Sequence, residues 1–295
     1  MNLNTFNRDA PLPASLEEFI ACTADQNRFL VLDCYQGNHF EDALEYLEVK
    51  ESALFRMPVH TDIGGEQDPL LVHLDNENAE ILMQLAVKRA VQTSTDRILG
   101  SRNISALVSS GSKPDFVARH ISRAARTYLQ NTLGSKSVPF RFFDPRVMHT
   151  VQRIFMPIQM SILLGPITFW GYVDFRGQLR FVKNGSTRGS SMTEIDSDQI
   201  PVLHRNILVQ QTLYQLQKYR PDWPEDLDAV LDDLISRAPP ELQEDEEDLI
   251  GYAALYWLND TGRVDSQFVE QALEMQRDAA VPLTDVIRAL SPELF

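Results

Sequence analysis

The chain has 295 residues, 42 acidic and 27 basic side chains and a formal net charge of −15. That balance excludes a general nucleic-acid binder, which needs clustered Lys and Arg to neutralise phosphates. Hydrophobic residues at 43% and charged residues at 23% exclude wholesale disorder, and the length allows one large domain or two lobes.

The opening MNLNTFNRDAPLPAS lacks the basic start and apolar run of a signal peptide. The two cysteines, Cys22 and Cys34, form no CxxC or Cys/His cluster. Together these features predict a cytoplasmic protein without a disulfide framework or zinc site. A helix is expected over Leu16–Ala24, then a strand at Phe29–Asp33, a second at Pro69–Leu74 and a third at Ile104–Val108. Between the last two, the spacing predicts a helix over Asn78–Val91 with Leu82, Leu85 and Ala86 on one face. Ser112 to Asp115 has the spacing of a capping box, with Pro114 near the helix start. The helix it opens carries Val117, Ile121, Ala124, Ala125 and Tyr128 on its apolar face, and Arg119, Arg123, Arg126 and Gln130 opposite. Val138–Phe143 reads as a strand, with Val138, Phe140 and Phe142 on one side. Asp144 is the expected N-cap of a helix beginning at Pro145. Residues 154–173 carry no charge, but Pro157 and the Gly165–Pro166 pair interrupt them, so a buried helix followed by a strand is expected rather than a membrane span. Ile167–Val173 and Gln178–Lys183 read as a hairpin around Asp174–Gly177.

From about Asp198 the pattern changes and no convincing strand remains. Leu227 to Ile235, Leu249 to Trp257, Phe268 to Leu273 and Leu283 to Leu290 each follow the amphipathic pattern. The predicted class is therefore α/β (α+β): a mixed-sheet N-terminal lobe over residues 1–190, then an acidic all-α C-terminal lobe over 191–295. Asn184–Ser197, rich in Ser, Gly and Thr, reads as the linker. Charge divides along the same line. Residues 196–295 hold 21 acids and 7 bases, which leaves 21 acids and 20 bases for the first 195 residues. Residues 113–153 form a basic band, with eight Lys and Arg against Asp115 and Asp144.

Chemistry-bearing motifs are few. No Walker A loop, GxGxxG, HExxH or EF-hand pattern occurs, and no two histidines share i, i+4 spacing on one helix, so neither cofactor nor metal is expected. His73 reads as a hydrogen-bonded core residue and Cys34 as a structural thiol. Gly185–Gly189 has the glycines of a nucleophile elbow, but Thr187 stands at the central Ser position. Asp260–Gly262 reads as a helix-ending turn rather than an aspartic-protease triplet. The stripe of Arg119, Arg123 and Arg126 reads as a solvated helix face or as a docking surface for an acidic partner or for the chain's own acidic lobe, with Arg141 and Arg146 as further partner-binding candidates; screening restricts any docking to close approach. Arg141 and Arg146 also lie near Asp144 in sequence and can form charge-assisted hydrogen bonds with it.

The run FRFFDPRV (Phe140–Val147), followed by Leu163–Leu164–Gly165–Pro166–Ile167 and Trp170, resembles the type VI secretion effector chaperones, the Tap or TEC adaptor family. Phe29–Asp33 is similar to that family's opening strand and Pro69–Leu74 to its next. Phe143 stands where the family has Tyr, and Leu163–Leu164 where it has a Phe pair. The resemblance covers about residues 28–173 and makes Phe140, Phe142, Asp144, Pro145, Gly165, Pro166 and Trp170 structural motif positions. It implies a non-catalytic cytoplasmic adaptor. Such a protein binds a cognate toxic effector, stabilises it and helps load it on the VgrG/PAAR spike, with neither nucleic acid nor membrane as partner. Two other readings follow from the residues alone. One is an α/β hydrolase-like or transferase enzyme with a site around Asp144, Arg146 and His149; the other is a scaffold binding membrane through 154–173.

Overall fold

Ser15 opens the first helix, α1 (Leu16–Cys22): its hydroxyl accepts the Glu18 N–H at 3.2 Å while the Glu18 carboxylate takes the Ala14 N–H at 2.7 Å. The reciprocal bonds satisfy amides that a helix start leaves open. In this computed structural model the chain then runs through β1 (Asn27–Leu32), α2 (Glu41–Tyr46), β2 (Leu54–Arg56), β3 (Leu70–His73), α3 (Ala79–Asp96), β4 (Ile104–Ser110) and α4 (Pro114–Ala125). It continues through β5 (Tyr128–Leu129), β6 (Val138–Pro139), α5 (Pro145–Ile154), α6 (Pro157–Leu164), β7 (Phe169–Val173) and β8 (Leu179–Lys183). The structure describes residues 13–35, 40–59, 65–74, 78–96, 99–100, 102–126, 128–129, 138–185, 195–279 and 281–295. The chain divides into two units, Met1–Ile200 and Pro201–Phe295. The expected boundary between residues 190 and 191, Thr187, Gln130 and most of the Asn184–Ser197 linker lie outside the described residues.

The first unit is built on a six-stranded sheet in the order β2-β3-β1-β4-β7-β8. The class is the expected α+β, but the ladders are antiparallel throughout rather than mixed. The near-continuous apolar runs that suggest parallel strands arise because both faces are covered. On one face Phe19, Leu44, Leu82, Met83 and Ala86 join Leu30, Leu32, Leu70, Val72 and Phe169 in a single core. Side chains alternate along a strand, so Trp170 turns to the other face, where it is fully buried against Phe142 at 5.3 Å between centroids. On α3, Leu82 and Ala86 face the core as expected, whereas Leu85 is 40% exposed and points outward. The β7–β8 hairpin pairs Phe169 with Lys183 through Val173 with Leu179. Its turn is tied by Asp174, whose Oδ1 accepts the N–H groups of Arg176 and Gln178, each at 2.9 Å.

Three local expectations are corrected. The capping box at Ser112 does not form: Lys113 is the N-cap of α4 without a side-chain bond, and the Ser112 N–H goes to Ser110 Oγ at 3.0 Å. Helix α4 ends at Ala125, so Tyr128 belongs to β5 instead of its apolar face. Val138–Phe143 is a strand only over Val138–Pro139, after which the chain turns, with Phe142 N–H to Phe140 O at 2.8 Å and Asp144 N–H to Arg141 O at 2.9 Å. Phe140, Phe142 and Phe143 are all at most 1% exposed. A flat strand sends neighbouring residues to opposite faces; the turn lets both Phe142 and Phe143 bury.

Helix α6 ends on Gly165 at φ +54°, a conformation that favours glycine. The same glycine lies under the His120 ring of α4, and an added Cβ would overlap that ring. A buried amide pair, Gln159 with Gln199, exchanges hydrogen bonds at 2.9 and 3.0 Å, and Gln199 also donates to Ile154 O at 2.8 Å. Residues 154–173 are thus the end of α5, then α6, then β7. No helix among the described residues is long and apolar enough to cross a membrane.

The second unit is helical: α7 (Gln199–Gln215) enters it, followed by α8 (Leu227–Ser236), α9 (Glu246–Asp260), α10 (Ser266–Ala279) and α11 (Leu283–Leu290). Helix α9 is buried along most of its length, from Asp248 to Leu255 and again at Trp257 and Leu258, which makes it the axis of the unit. Gly251 lets α11 approach: a Cβ there would stand 2.9 Å from the Thr284 nitrogen. Asp248 accepts the Leu283 N–H at 2.7 Å at the start of α11 and a Gln276 amide bond at 3.0 Å. Gly262, at φ +70°, closes the helix-ending turn expected at Asp260–Gly262, with Thr261 Oγ1 donating to Trp257 O at 2.8 Å.

Gly165→Ala combines a left-handed backbone position with overlap on a buried ring. It should destabilise the first unit by about 2–5 kcal/mol. A urea unfolding series measures this, and an unchanged midpoint would show that His120 can move aside at no cost.

Candidate functional site

Two groups of arginines separate in the structure. The first is internal. Asp144 caps α5, its Oδ1 accepting the Arg146 N–H at 2.9 Å. The Arg146 guanidinium returns to the same carboxylate in a fork, at 2.9 and 2.6 Å. Arg141, whose charge also acts on Asp144, forms its ion pair with Asp33 at the end of β1. Its guanidinium also lies 5.2 Å from the ring centroid of Tyr35 and 5.6 Å from that of Phe143. Backbone bonds hold Asp33 in place: its N–H donates to Asn103 O at 2.8 Å, and the Asn103 side chain donates to Asp33 O at 3.2 Å.

The electrostatics of these two acids differ. Burial pushes the Asp144 carboxyl up, but the charge of Arg146 and its hydrogen bonds outweigh burial and hold it below the ordinary value. Burial of Arg146 is likewise outweighed by Asp144, so its pKa rises. At Asp33 burial prevails over the charge of Arg141, and its pKa is raised. Asp144 is therefore a carboxylate kept ionised by its partner, and such a group is a poor proton donor. His149 turns elsewhere, with Nδ1 3.1 Å from the Tyr172 hydroxyl, which donates to Gln152 at 2.6 Å; its ring meets Phe175 edge-on. The three residues of the enzyme reading thus have separate attachments: Asp144 and Arg146 to each other, His149 to β7. His73 Nε2 lies 3.1 Å from Asn27 Oδ1 on the neighbouring strand. Burial pushes the Cys34 thiol up to about 11, the state of a structural thiol rather than a nucleophile. No group of three or more His, Cys, Asp or Glu suited to a metal ion occurs among the described residues.

The second group lies on the surface. Arg119, Arg123 and Arg126 are exposed and line a groove of about 560 Å³ between α4 and β2. Strand β2 and the residues after it contribute Leu54, Phe55, Arg56 and Pro58, and α4 adds Asp115, Ala118 and Ser122. Ser122 Oγ and Arg126 Nε both donate to Pro58 O, the latter at 3.1 Å, which joins helix and strand at one end. Arg119 pairs with Asp115 at 2.6 Å across one turn, both side chains more than half exposed. The carboxylate of Asp115 is the single acid among the described lining residues. The helical stripe was legible as i, i+4, i+7 spacing. Arg56 and Pro58 were not, because the short strand that ends at Arg56 and the residues after it have no distinctive pattern of their own.

The motif residues of the C-terminal half of the first unit converge. Phe140 and Phe142 lie 6.0 Å apart, Phe142 touches Trp170, and Phe155 closes on Phe140 at 6.0 Å. Pro145 is the first residue of α5, buried beneath Asp144 in the chain. Pro166 O accepts the Ser110 hydroxyl at 2.6 Å, and Thr168 N–H donates to Ser109 O at 2.8 Å, which sets β7 beside β4. The segments Phe140–Val147 and Leu163–Trp170 are therefore one packed structure. No family model matches the chain, and neither the curated proteins nor the solved structures contain a match to it.

Asp144 ionises below the ordinary carboxylate value, so its pairing supports the fold at and above pH 3.8 and is lost as pH falls through the lower folded-state value. Asp144→Asn leaves Arg146 without its counter-charge and should cost about 3 kcal/mol at neutral pH. The deficit relative to wild type should shrink on acidification. Asp33 has the opposite sign: its ionised form is disfavoured as pH rises from 3.8 toward the raised folded-state value, so Asp33→Asn should cost less than Asp144→Asn. Denaturant melts across a pH series test both statements, and a pH-independent deficit for Asp144→Asn would locate its effect in packing rather than charge.

Proposed function

We propose that this chain is a non-catalytic adaptor of the type VI secretion effector chaperone kind. In this reading it binds a cognate toxic effector in the cytoplasm of the producing bacterium, keeps it stable, and helps load it on the VgrG/PAAR spike. The observation that carries the reading is the pairing of Phe140–Val147 with Gly165–Trp170. These are the segments in which the sequence resembles that family, and their side chains pack together through Phe142 and Trp170. The motif residues have structural duties that suit a scaffold: a capped helix, a left-handed glycine under a histidine ring, and an ion pair with a buried acid.

Binding of a protein client draws on burial of apolar surface for affinity, over an interface of about 1,600 Å². Charged residues such as Arg119, Arg123 and Arg126 contribute orientation and association rate more than affinity. The enzyme alternative places its acid at Asp144, where the fork to Arg146 already occupies the carboxylate.

Co-expression with the toxin encoded beside it should yield a complex that survives affinity purification and size exclusion. Removal of the chain should lower the amount of soluble toxin and abolish its delivery to target cells. A toxin equally soluble and equally delivered without the chain would sink the adaptor reading.

A further inference from the structure

We infer that the groove between β2 and α4 is a docking site for an extended acidic peptide segment, whose carboxylates pair with Arg119, Arg123 and Arg126. The inference rests on the adaptor reading only for the protein to which that segment belongs; the site itself rests on geometry and charge.

Three observations lead to it. Charge comes first: among the described residues four guanidinium groups, those of Arg56, Arg119, Arg123 and Arg126, line the groove against the one carboxylate of Asp115, and Arg56 also donates to Gly65 O at 3.2 Å. In a chain with a formal charge of −15 this is a local reversal of sign. Arg123 pairs with no carboxylate among the described residues, and Arg126 is fixed at its Nε to a backbone carbonyl, which leaves its terminal nitrogens for another acceptor. Planar guanidinium groups suit carboxylates because the two can form paired hydrogen bonds.

Spacing comes second. Arg119 and Arg123 are four residues apart on α4, about 6 Å along its axis. Alternate side chains of an extended chain repeat at about 6.6 Å, so acids two positions apart match Arg119 and Arg123. Intervening residues then face away from the helix, beside the apolar Leu54, Phe55 and Pro58.

Position is the third. The lining on α4 runs from Asp115 to Arg126, about 16 Å of helix, the length of about five residues of an extended chain. Strand β2 is also the terminal strand of the sheet, the position at which added segments lie alongside a fold.

The test is fluorescence anisotropy with the full chain and a dye-labelled peptide alternating Glu and Val. A second peptide with Gln for Glu and a single-stranded DNA oligonucleotide serve as competitors. Wild type should bind the acidic peptide, with affinity falling as salt is raised. The Gln peptide should bind at least about tenfold more weakly, and R119E/R123E/R126E should lose at least about tenfold. Arg123→Glu alone should reproduce part of the loss, and since that side chain holds no partner among the described residues, its circular dichroism and melting should match wild type. Equal binding by Arg123→Glu and wild type, equal binding of the Gln peptide, or oligonucleotide binding as tight as the acidic peptide would overturn the inference. Capture of the toxin by the triple variant at wild-type level would also overturn it while the adaptor reading stood; loss of capture by wild type would sink the adaptor reading while the peptide titration still decided the groove.

Discussion

Charges taken into the interior must be paired, and the first unit is organised around that constraint. Asp33, Asp144 and Asp174 are each at most 6% exposed, and each meets an arginine: Arg141, Arg146 and Arg180. An isolated carboxylate at such a site costs several kcal/mol, so the chain path must bring the partner. Arg141 comes from more than a hundred residues downstream of Asp33. Its arrival fixes the turn at residues 140–143 against the end of β1. That turn in turn sends Phe140, Phe142 and Phe143 inward and leaves Asp144 in extended backbone, the conformation from which it caps α5. The ion pairs stabilise little as isolated units. They define which of the compact arrangements open to a phenylalanine-rich segment is the native one.

How far the sequence revealed this depends on whether a signal was local. The strands at Phe29, Leu70 and Ile104 were legible because each is a short apolar run bounded by polar residues. The β7–β8 hairpin was legible because Asp174 and Gly177 carry turn chemistry. The start of α5 at Asp-Pro was legible for the same reason. By contrast α2, six residues long, and β2, three residues long, are too short to express a period. Helix α7 has no assignment in the sequence reading, although Leu208, Val209 and Leu213 are buried at helical spacing. The strand expected over Val138–Phe143 failed because alternation of Val138, Phe140 and Phe142 was counted while Phe143, equally buried, was not.

The candidate site was half legible for a related reason. Helical spacing showed that Arg119, Arg123 and Arg126 share a face, but nothing local showed that β2 would lie beside it. The same spacing logic put Arg141 and Arg146 near Asp144. Arg146 pairs with it directly, and the charge of Arg141 also acts on Asp144, but the ion pair of Arg141 is with Asp33, a residue that sequence proximity could not nominate. Long-range pairing is set by the topology of the sheet, and the topology is read from ladders rather than from residue types.

Five arginines of the basic band were candidates for one docking surface, and burial now divides them into two kinds. Leaving Arg146 or Arg141 unpaired would strand a partly buried charge and an acid beside it, so folding alone accounts for both. Arg123 has no such account. It is exposed, it meets no carboxylate among the described residues, and the fold does not need its charge. An exposed arginine in isolation needs no explanation, because surface charges contribute little to stability in either direction. Arg119, Arg123 and Arg126 line one groove with Arg56, and Asp115 is the only acid among its described lining residues. Arg119 and Arg126 have partners within the fold, whereas Arg123 adds like charge to the group, which a negatively charged occupant offsets. The total of −15 describes the average of the chain, while the sign that a partner meets in this groove is positive.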